Sequence, residues 1–227
     1  MNWVRPTPDI IRALRARDGG NYYIPQEYLN CLLMDQQSTV YFPIYALDGR
    51  QVGWNSRSAT QKMWSQNLVE EPTPRFTSWT PALSQIVYGH RKICITEGPY
   101  DALALAPIIP WVIAANTARV QQEILDWCDM WKLHVFTAFD NDKPDPKTNR
   151  EAGQMATARL TKELLAANCR VTQLTWPKSA PNSSTPGQII PSDHLKDPAQ
   201  AYAVMGKTFH EYIANQVNSA VKQLQPQ

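Results

Sequence analysis

Four acidic residues stand where two buried strands are expected to end. ITEGPYDALAL places Glu97 at the close of an apolar run and Asp101 one turn into the helix that follows; FTAFDND places Asp140 and Asp142 two residues apart at the end of a later run. A carboxylate ending a buried strand is costly if nothing pairs with its charge. On an extended strand end, positions i and i+2 project to the same side, so Asp140 and Asp142 share a direction. In an open parallel sheet the strand carboxyl ends line one edge, where ligands normally bind. If the two strands are neighbours, Glu97, Asp140 and Asp142 meet there in one acidic cluster. Carboxylates so close raise one another's pKa and repel unless a divalent cation neutralises them. A donor set of oxygens alone, with no Cys or His beside it, favours Mg2+ or Mn2+. An ion held by few carboxylates keeps water positions that phosphate oxygens can take, which is a phosphoryl-transfer arrangement. Either motif alone is also met as plain turn or N-capping chemistry. Their succession on two strands of one sheet is the more specific signal.

The elements that position these acids follow from the pattern. From Arg91 onward, strand-like and helix-like segments alternate: KICIT and a helix from about Pro99, WVIAAN and a helix over 119–131, HVFTAFD and a helix near 151–167, then RVTQLTW. Continuous apolar strands in βα alternation predict an α/β fold with a mainly parallel sheet flanked by helices. Before it, TPDIIRALRARD reads as a basic amphipathic helix closed by Gly19-Gly20, and IPQEYLNCLLM as a second helix. STVYFPIYALDGRQVGWNSRSA reads as a hairpin turning at Asp48-Gly49. Residues 66–85 and WPKSAPNSSTPGQIIPSD are expected to be irregular from their Pro, Thr and Ser content. Two helices are expected near 198–204 and 207–224. The predicted organisation is a smaller α+β N-terminal subdomain over 1–90, a catalytic domain over 91–180, and a helical segment over 181–227 that completes the core.

Composition narrows the function classes. The chain has 227 residues with 22 basic against 20 acidic side chains, so net charge announces no large nucleic-acid footprint, though local patches remain open. No stretch approaches the roughly 18 apolar residues of a membrane span, and the N-terminus lacks a signal-peptide apolar region. Cys31, Cys94, Cys128 and Cys169 never form a CxxC pair and the four histidines do not cluster, so buried thiols in a reducing cytoplasm are expected rather than zinc. His134 lies on a buried strand pattern and reads as structural. Trp54, Trp64 and Trp79 interleave with Arg57, Lys62 and Arg75, which suits either a stacking groove for single-stranded nucleic acid or aromatic core packing. The basic residues Arg12, Arg15 and Arg17 read first as a solvated helix face.

ITEGPYDALAL followed by FTAFDND resembles the Toprim motif pair, EGxxDAL and DxD, shared by DnaG-type and phage primases, topoisomerases and some nucleases. The surroundings are similar to primases in particular. VYFPIYALDGRQVGWNSRSA resembles the primase segment with FPI, a DGR turn and a GxxxR element. IVYGHRKICITEG resembles the lead-in to the Toprim part, and HLKDPAQAYAVMGKTFHEYI resembles the primase KDP ending. The likeness spans roughly residues 40–212 and implies a Toprim primase catalytic core that synthesises primers by nucleotidyl transfer. It implies Glu97 as the acid near the reacting groups, a metal ligand or general base, and Asp140 and Asp142 as ligands of Mg2+ or Mn2+. Asp101 matches the second acid of EGxxD and Asp197 the first acid of a later pair. Arg57 matches the GxxxR arginine, and with Lys62 and Arg75 it would hold template or nucleotide phosphates.

The resemblance also implies a single-stranded DNA template, nucleoside triphosphates, a possible replicative helicase or other replisome partner, no membrane, and the cytoplasm of a bacterial host if the chain is phage-encoded. The sequence departs from the pattern in three places. The second acid of the later pair falls on Ala199, with Asp193 nearby. KPDPKTNRE intervenes between the DND stretch and Ala152-Gly153. The zinc ribbon and helicase segments of larger primases are not found. A Toprim nuclease using the same acids, or a non-catalytic nucleic-acid-binding replisome subunit, remains the alternative reading.

Overall fold

The computed structural model describes residues 4–15, 29–30, 32–35, 39–58, 64–68, 75–78, 83–117, 119–140, 152–177, 179–183, 185, 187–191, 195 and 197–223. One sheet runs through the molecule. Its first half is built from β1 (Leu33–Met34), β2 (Thr39–Ala46), β3 (Gln51–Ser58), β4 (Trp64–Leu68) and β5 (Arg75–Thr77). Its second half is β6 (Lys92–Thr96), β7 (Val112–Ala114), β8 (His134–Ala138) and β9 (Arg170–Gln173). The order is β4-β3-β2-β5-β7-β6-β8-β9, with β1 paired to β2. Pairing within the first half is antiparallel, and β7-β6-β8-β9 pair in parallel. Among the described residues the halves join at one register pair, Thr77 opposite Ala114.

Among the described residues the helices are α1 (Pro8–Arg15), α2 (Leu83–His90), α3 (Pro99–Leu105), α4 (Gln122–Met130), α5 (Ala152–Ala166), α6 (Pro198–Met205) and α7 (Lys207–Lys222). Parallel strands cannot be joined by tight turns, so α3, α4 and α5 serve as the crossovers between β6, β7, β8 and β9. Their apolar faces close the core. Ile93, Ile95, Val135 and Phe136 are all fully buried, as are Leu105, Ile124 and Leu164 on the crossover helices. Each such side chain contributes about 1.5–3 kcal/mol by leaving water.

The α/β class and the parallel pairing of β7-β6-β8-β9, covered by helices, agree with the sequence reading. Four local expectations do not. Leu33–Met34 pair with Tyr41 and Val40 instead of continuing a helix, because Met34 also exchanges backbone bonds with Val4. β5 falls within the region read as irregular and β4 runs into it; β4 is paired with β3, and β5 lies between β2 and β7. α2, from the same stretch onward, was not anticipated. Ser179–Pro181 and Ile189–Pro191 form an antiparallel pair, β10 and β11, inside the expected loop. The Asp48-Gly49 turn is present, with Gly49 at φ 85°. The closing Gly19-Gly20 lies outside the described residues.

Candidate metal centre

β6 delivers its chain to the sheet's carboxyl edge and stops. Thr96 is fully buried, and its hydroxyl lies 3.0 Å from the Gly98 carbonyl and 3.1 Å from that of Ile113, tying the turn to β7. Gly98 then caps α3 in an extended conformation, with Pro99 at the first helical position, where a missing N–H costs nothing. Asp101 sits three residues on and turns back: its Oδ2 accepts the Gly98 N–H at 3.2 Å. A Cβ at position 98 would stand 3.0 Å from that oxygen, a tight approach that would press on the carboxylate.

Asp101 is buried, and its other oxygen reaches a second helix. Oδ1 accepts the Ala199 N–H at 3.3 Å, within the first turn of α6. Asp197 caps that helix, its Oδ1 accepting the Gln200 N–H at 2.6 Å. Each N-terminal amide is one that the helix itself leaves unsatisfied.

Asp140 comes from β8. Because Ala138 is level with Thr96 in the parallel register, Asp140 arrives at the height of Gly98. α5 starts against it: a Cβ on Gly153 would lie 2.0 Å from the Asp140 carbonyl oxygen, so only glycine allows this approach.

One carboxylate oxygen from each of Asp101, Asp140 and Asp197 lies within 4.8 Å of the others. Burial pushes the Asp101 carboxyl well above the ordinary carboxylate range, and the charges of Asp197 and Asp140 push it further, while the Ala199 and Gly98 amides oppose the shift. A buried acid facing two others is unstable as an anion unless a cation joins them. Three converging carboxylates with no sulfur or imidazole among them fit a hard divalent ion.

Glu97 is half-buried at the neighbouring strand end and stands outside this group of three. Arg57 lies on β3 opposite Val40, and Arg75 on β5 opposite Ala46. Asp142, Lys62, Trp79 and Asp193 lie outside the described residues. At Ala199, where the resemblance lacks an acid, the backbone amide takes Asp101 instead. Asn55, Thr77 and Asn116, which form a buried polar cluster beside this edge, were missed; they are far apart in sequence, and only the Asn closing WVIAAN offered a hint.

Residues 94–183 match the Toprim-like family. No curated protein matches the chain by sequence. The chain is similar to the Aquifex aeolicus primase, solved as its zinc-binding and RNA polymerase domains, at 17% identity and TM-score 0.57, over 95% of this chain and 53% of that one. It is similar to a DnaG primase catalytic domain bound to ssDNA at 16% identity and TM-score 0.54, over 88% and 62%. A third similar structure is the RNA polymerase domain of Mycobacterium tuberculosis primase DnaG in complex with double-stranded DNA, at 15% identity and TM-score 0.52, over 85% and 60%. The chain therefore spans 53% to 62% of the length of these solved chains. The fold is that of DnaG primase catalytic cores, with a Toprim-like segment at its centre.

Proposed function

We propose that the chain is a primase catalytic core, making short primers on single-stranded DNA by nucleotidyl transfer at the acidic edge. The observation that carries this reading is the convergence of Asp101, Asp140 and Asp197, from three separate elements, inside a primase-core fold. Asp101, Asp140 and Asp197 would hold Mg2+ or Mn2+, and Asp142 would add a further carboxylate to the same ion. A divalent ion bound there neutralises triphosphate oxygens and acidifies the attacking 3′-hydroxyl.

The chain's own groups do the positioning. The Gly98 and Ala199 amides fix the two Asp101 oxygens, so that acid meets its ligand without reorganising. Glu97, beside the cluster, is the acid nearest the reacting groups and accepts the proton of the attacking hydroxyl. Arg57, Lys62 and Arg75 hold template and nucleotide phosphates, a task suited to a guanidinium's fixed fork of donors. A replicative helicase or another replisome protein is the partner this reading implies, and the cytoplasm is where its template and triphosphates are found.

A second reading, a nucleic-acid-binding Toprim fold without catalysis, draws on Ala199, where an amide occupies the place of an acid. One assay separates these readings. Purified chain is incubated with labelled single-stranded DNA and Mg2+, with and without nucleoside triphosphates. New short products that require triphosphates, and vanish in Asp140→Ala and Asp142→Ala, support the primase. Shortened DNA without triphosphates would make it a nuclease, and Mn2+ binding with neither product would favour the non-catalytic reading.

A further inference from the structure

The two halves of the sheet meet through a single backbone register pair, Thr77 with Ala114, among the described residues. A seam so narrow does not by itself fix the angle between the halves. Apolar contact crosses it, with the Phe42 ring on β2 5.6 Å from the Tyr100 ring on α3, and so do three hydrogen-bonding side chains. Asn55 on β3 donates through Nδ2 to Thr77 Oγ1 at 3.1 Å and to Asn116 Oδ1 at 2.5 Å. The Thr77 hydroxyl donates to the same Asn116 oxygen at 3.0 Å. Thr77 is fully buried and Asn55 nearly so.

Asn116 ends the strand segment at the acidic edge. Thr96 on β6 is level with Ala114 on β7, so Asn116 stands level with Gly98, one strand away from the Glu97-Gly98 turn. Its backbone holds φ 63°, a conformation that asparagine tolerates and most residues resist. Its Nδ2 is buried and meets no hydrogen-bond partner among the described residues. An apolar seam of the same shape would carry neither that unsatisfied donor nor the backbone cost. Retaining both is what a directional contact with a purpose looks like, because a hydrogen-bonded network selects one geometry where apolar packing tolerates several. At the other end of the network, Asn55 precedes Arg57 by two residues on the same strand.

We propose that Asn55, Thr77 and Asn116 form a polar pin that sets the angle between the antiparallel sheet and the acidic edge. They are positioning residues: they hold the strand bearing Arg57 at a fixed distance from the turn bearing Glu97. The catalytic consequence rests on the primase reading; the geometry does not. A phosphate-holding strand displaced by about 1 Å from the acids loses roughly 100-fold in turnover of correctly placed substrates.

The test uses Asn116→Gly, which keeps the positive φ without strain and removes both bonds, and Thr77→Val, which keeps shape and removes the hydroxyl. Spin labels are placed at exposed positions in the two halves, Gln51→Cys on β3 and Lys162→Cys on α5, in a Cys31→Ser background; Cys94, Cys128 and Cys169 are buried. The pin predicts that the label-to-label distance distribution broadens or shifts in both variants. It also predicts that kcat/KM for primer synthesis falls roughly 10- to 100-fold while Mn2+ affinity stays within about twofold. Distance distributions identical to the parent's overturn the proposal, even if the melting temperature drops, because losing a merely stabilising contact leaves the angle intact. Broadened distances with unchanged kcat/KM overturn the positioning role. A parent chain that makes no primer counts against the primase reading alone, and the distance measurement still decides the pin.

Discussion

The two ends of the parallel strands both gather like charges, yet only one of them is built as a site. At the amino end, Lys92, His134 and Arg170 stand opposite one another across β6, β8 and β9. At the carboxyl end, Asp101, Asp140 and Asp197 converge within 4.8 Å. The difference lies in reach and anchoring. Arg170 is exposed and Lys92 half-buried, so long flexible stems carry their charges to water, while His134 between them gives up its proton. Burial, then the charges of Lys92 and Arg170, lower its pKa to about 4, and Nε2 rests 2.8 Å from the Thr172 hydroxyl. The aspartates have short stems, and backbone amides of α3 and α6 hold two of them in place. Like charge alone does not make an ion site. Like charge gathered around a buried acid and held in place by backbone amides does.

This contrast can be broken most forcefully at Asp140. Asp140→Ala should lower Mn2+ affinity and Mg2+-dependent primer synthesis by at least about a hundredfold, since even outer partners of metal ligands are worth 10- to 100-fold. Unchanged calorimetric binding would remove Asp140 from the site. Next comes Gly153→Ala. Its new methyl would overlap the Asp140 carbonyl at 2.0 Å, so the start of α5 must retreat. The expected cost is about 1–3 kcal/mol in denaturant unfolding, together with weaker Mn2+ binding. An alanine variant as stable as the parent would show that α5 does not press on Asp140.

The pH dependence should have opposite signs at the two ends. Asp101 has a folded-state pKa raised above its unfolded value, so its contribution to stability is full at low pH and is lost as pH rises through the folded pKa. Ion-free protein should therefore melt lower as pH rises above the ordinary carboxylate range, Mg2+ should reverse the loss, and Asp101→Asn should flatten it. A flat profile in the parent under chelator would contradict the burial of a strained acid. His134 has a depressed folded pKa, so its contribution is present above about 6.5 and is lost as pH falls towards about 4. His134→Gln should remove that acid-side loss, the smallest of these effects, with no change in Mn2+ binding. An acid limb of the melting curve identical in variant and parent would rule His134 out as its source.

Much of this was legible in the residues. KICIT, WVIAAN and HVFTAFD are continuous apolar strands between helical segments, and that pattern admits few arrangements besides a parallel sheet. Glu97-Gly98 and FTAFDND marked two strand ends at one edge. β4, β5 and the β10–β11 pair were not legible, because strands of three to five residues with polar or proline-rich composition are made by their neighbours rather than by propensity. Asp197 was reached only through family resemblance, since the contact between α3 and α6 joins residues nearly a hundred positions apart. The role of Ala199 was invisible for a simpler reason: its contribution is a backbone amide, which any residue except proline supplies.

The deciding measurement is a Mn2+ titration followed by electron paramagnetic resonance at neutral pH, on the parent chain, Asp101→Asn, Asp140→Asn, His134→Gln and Arg170→Gln. The carboxyl edge as ion site predicts saturable binding in the parent, loss in both aspartate variants, and parent-like binding in both amino-edge variants. Parent-like binding in Asp140→Asn and Asp101→Asn together, or no saturable binding in the parent, would contradict it.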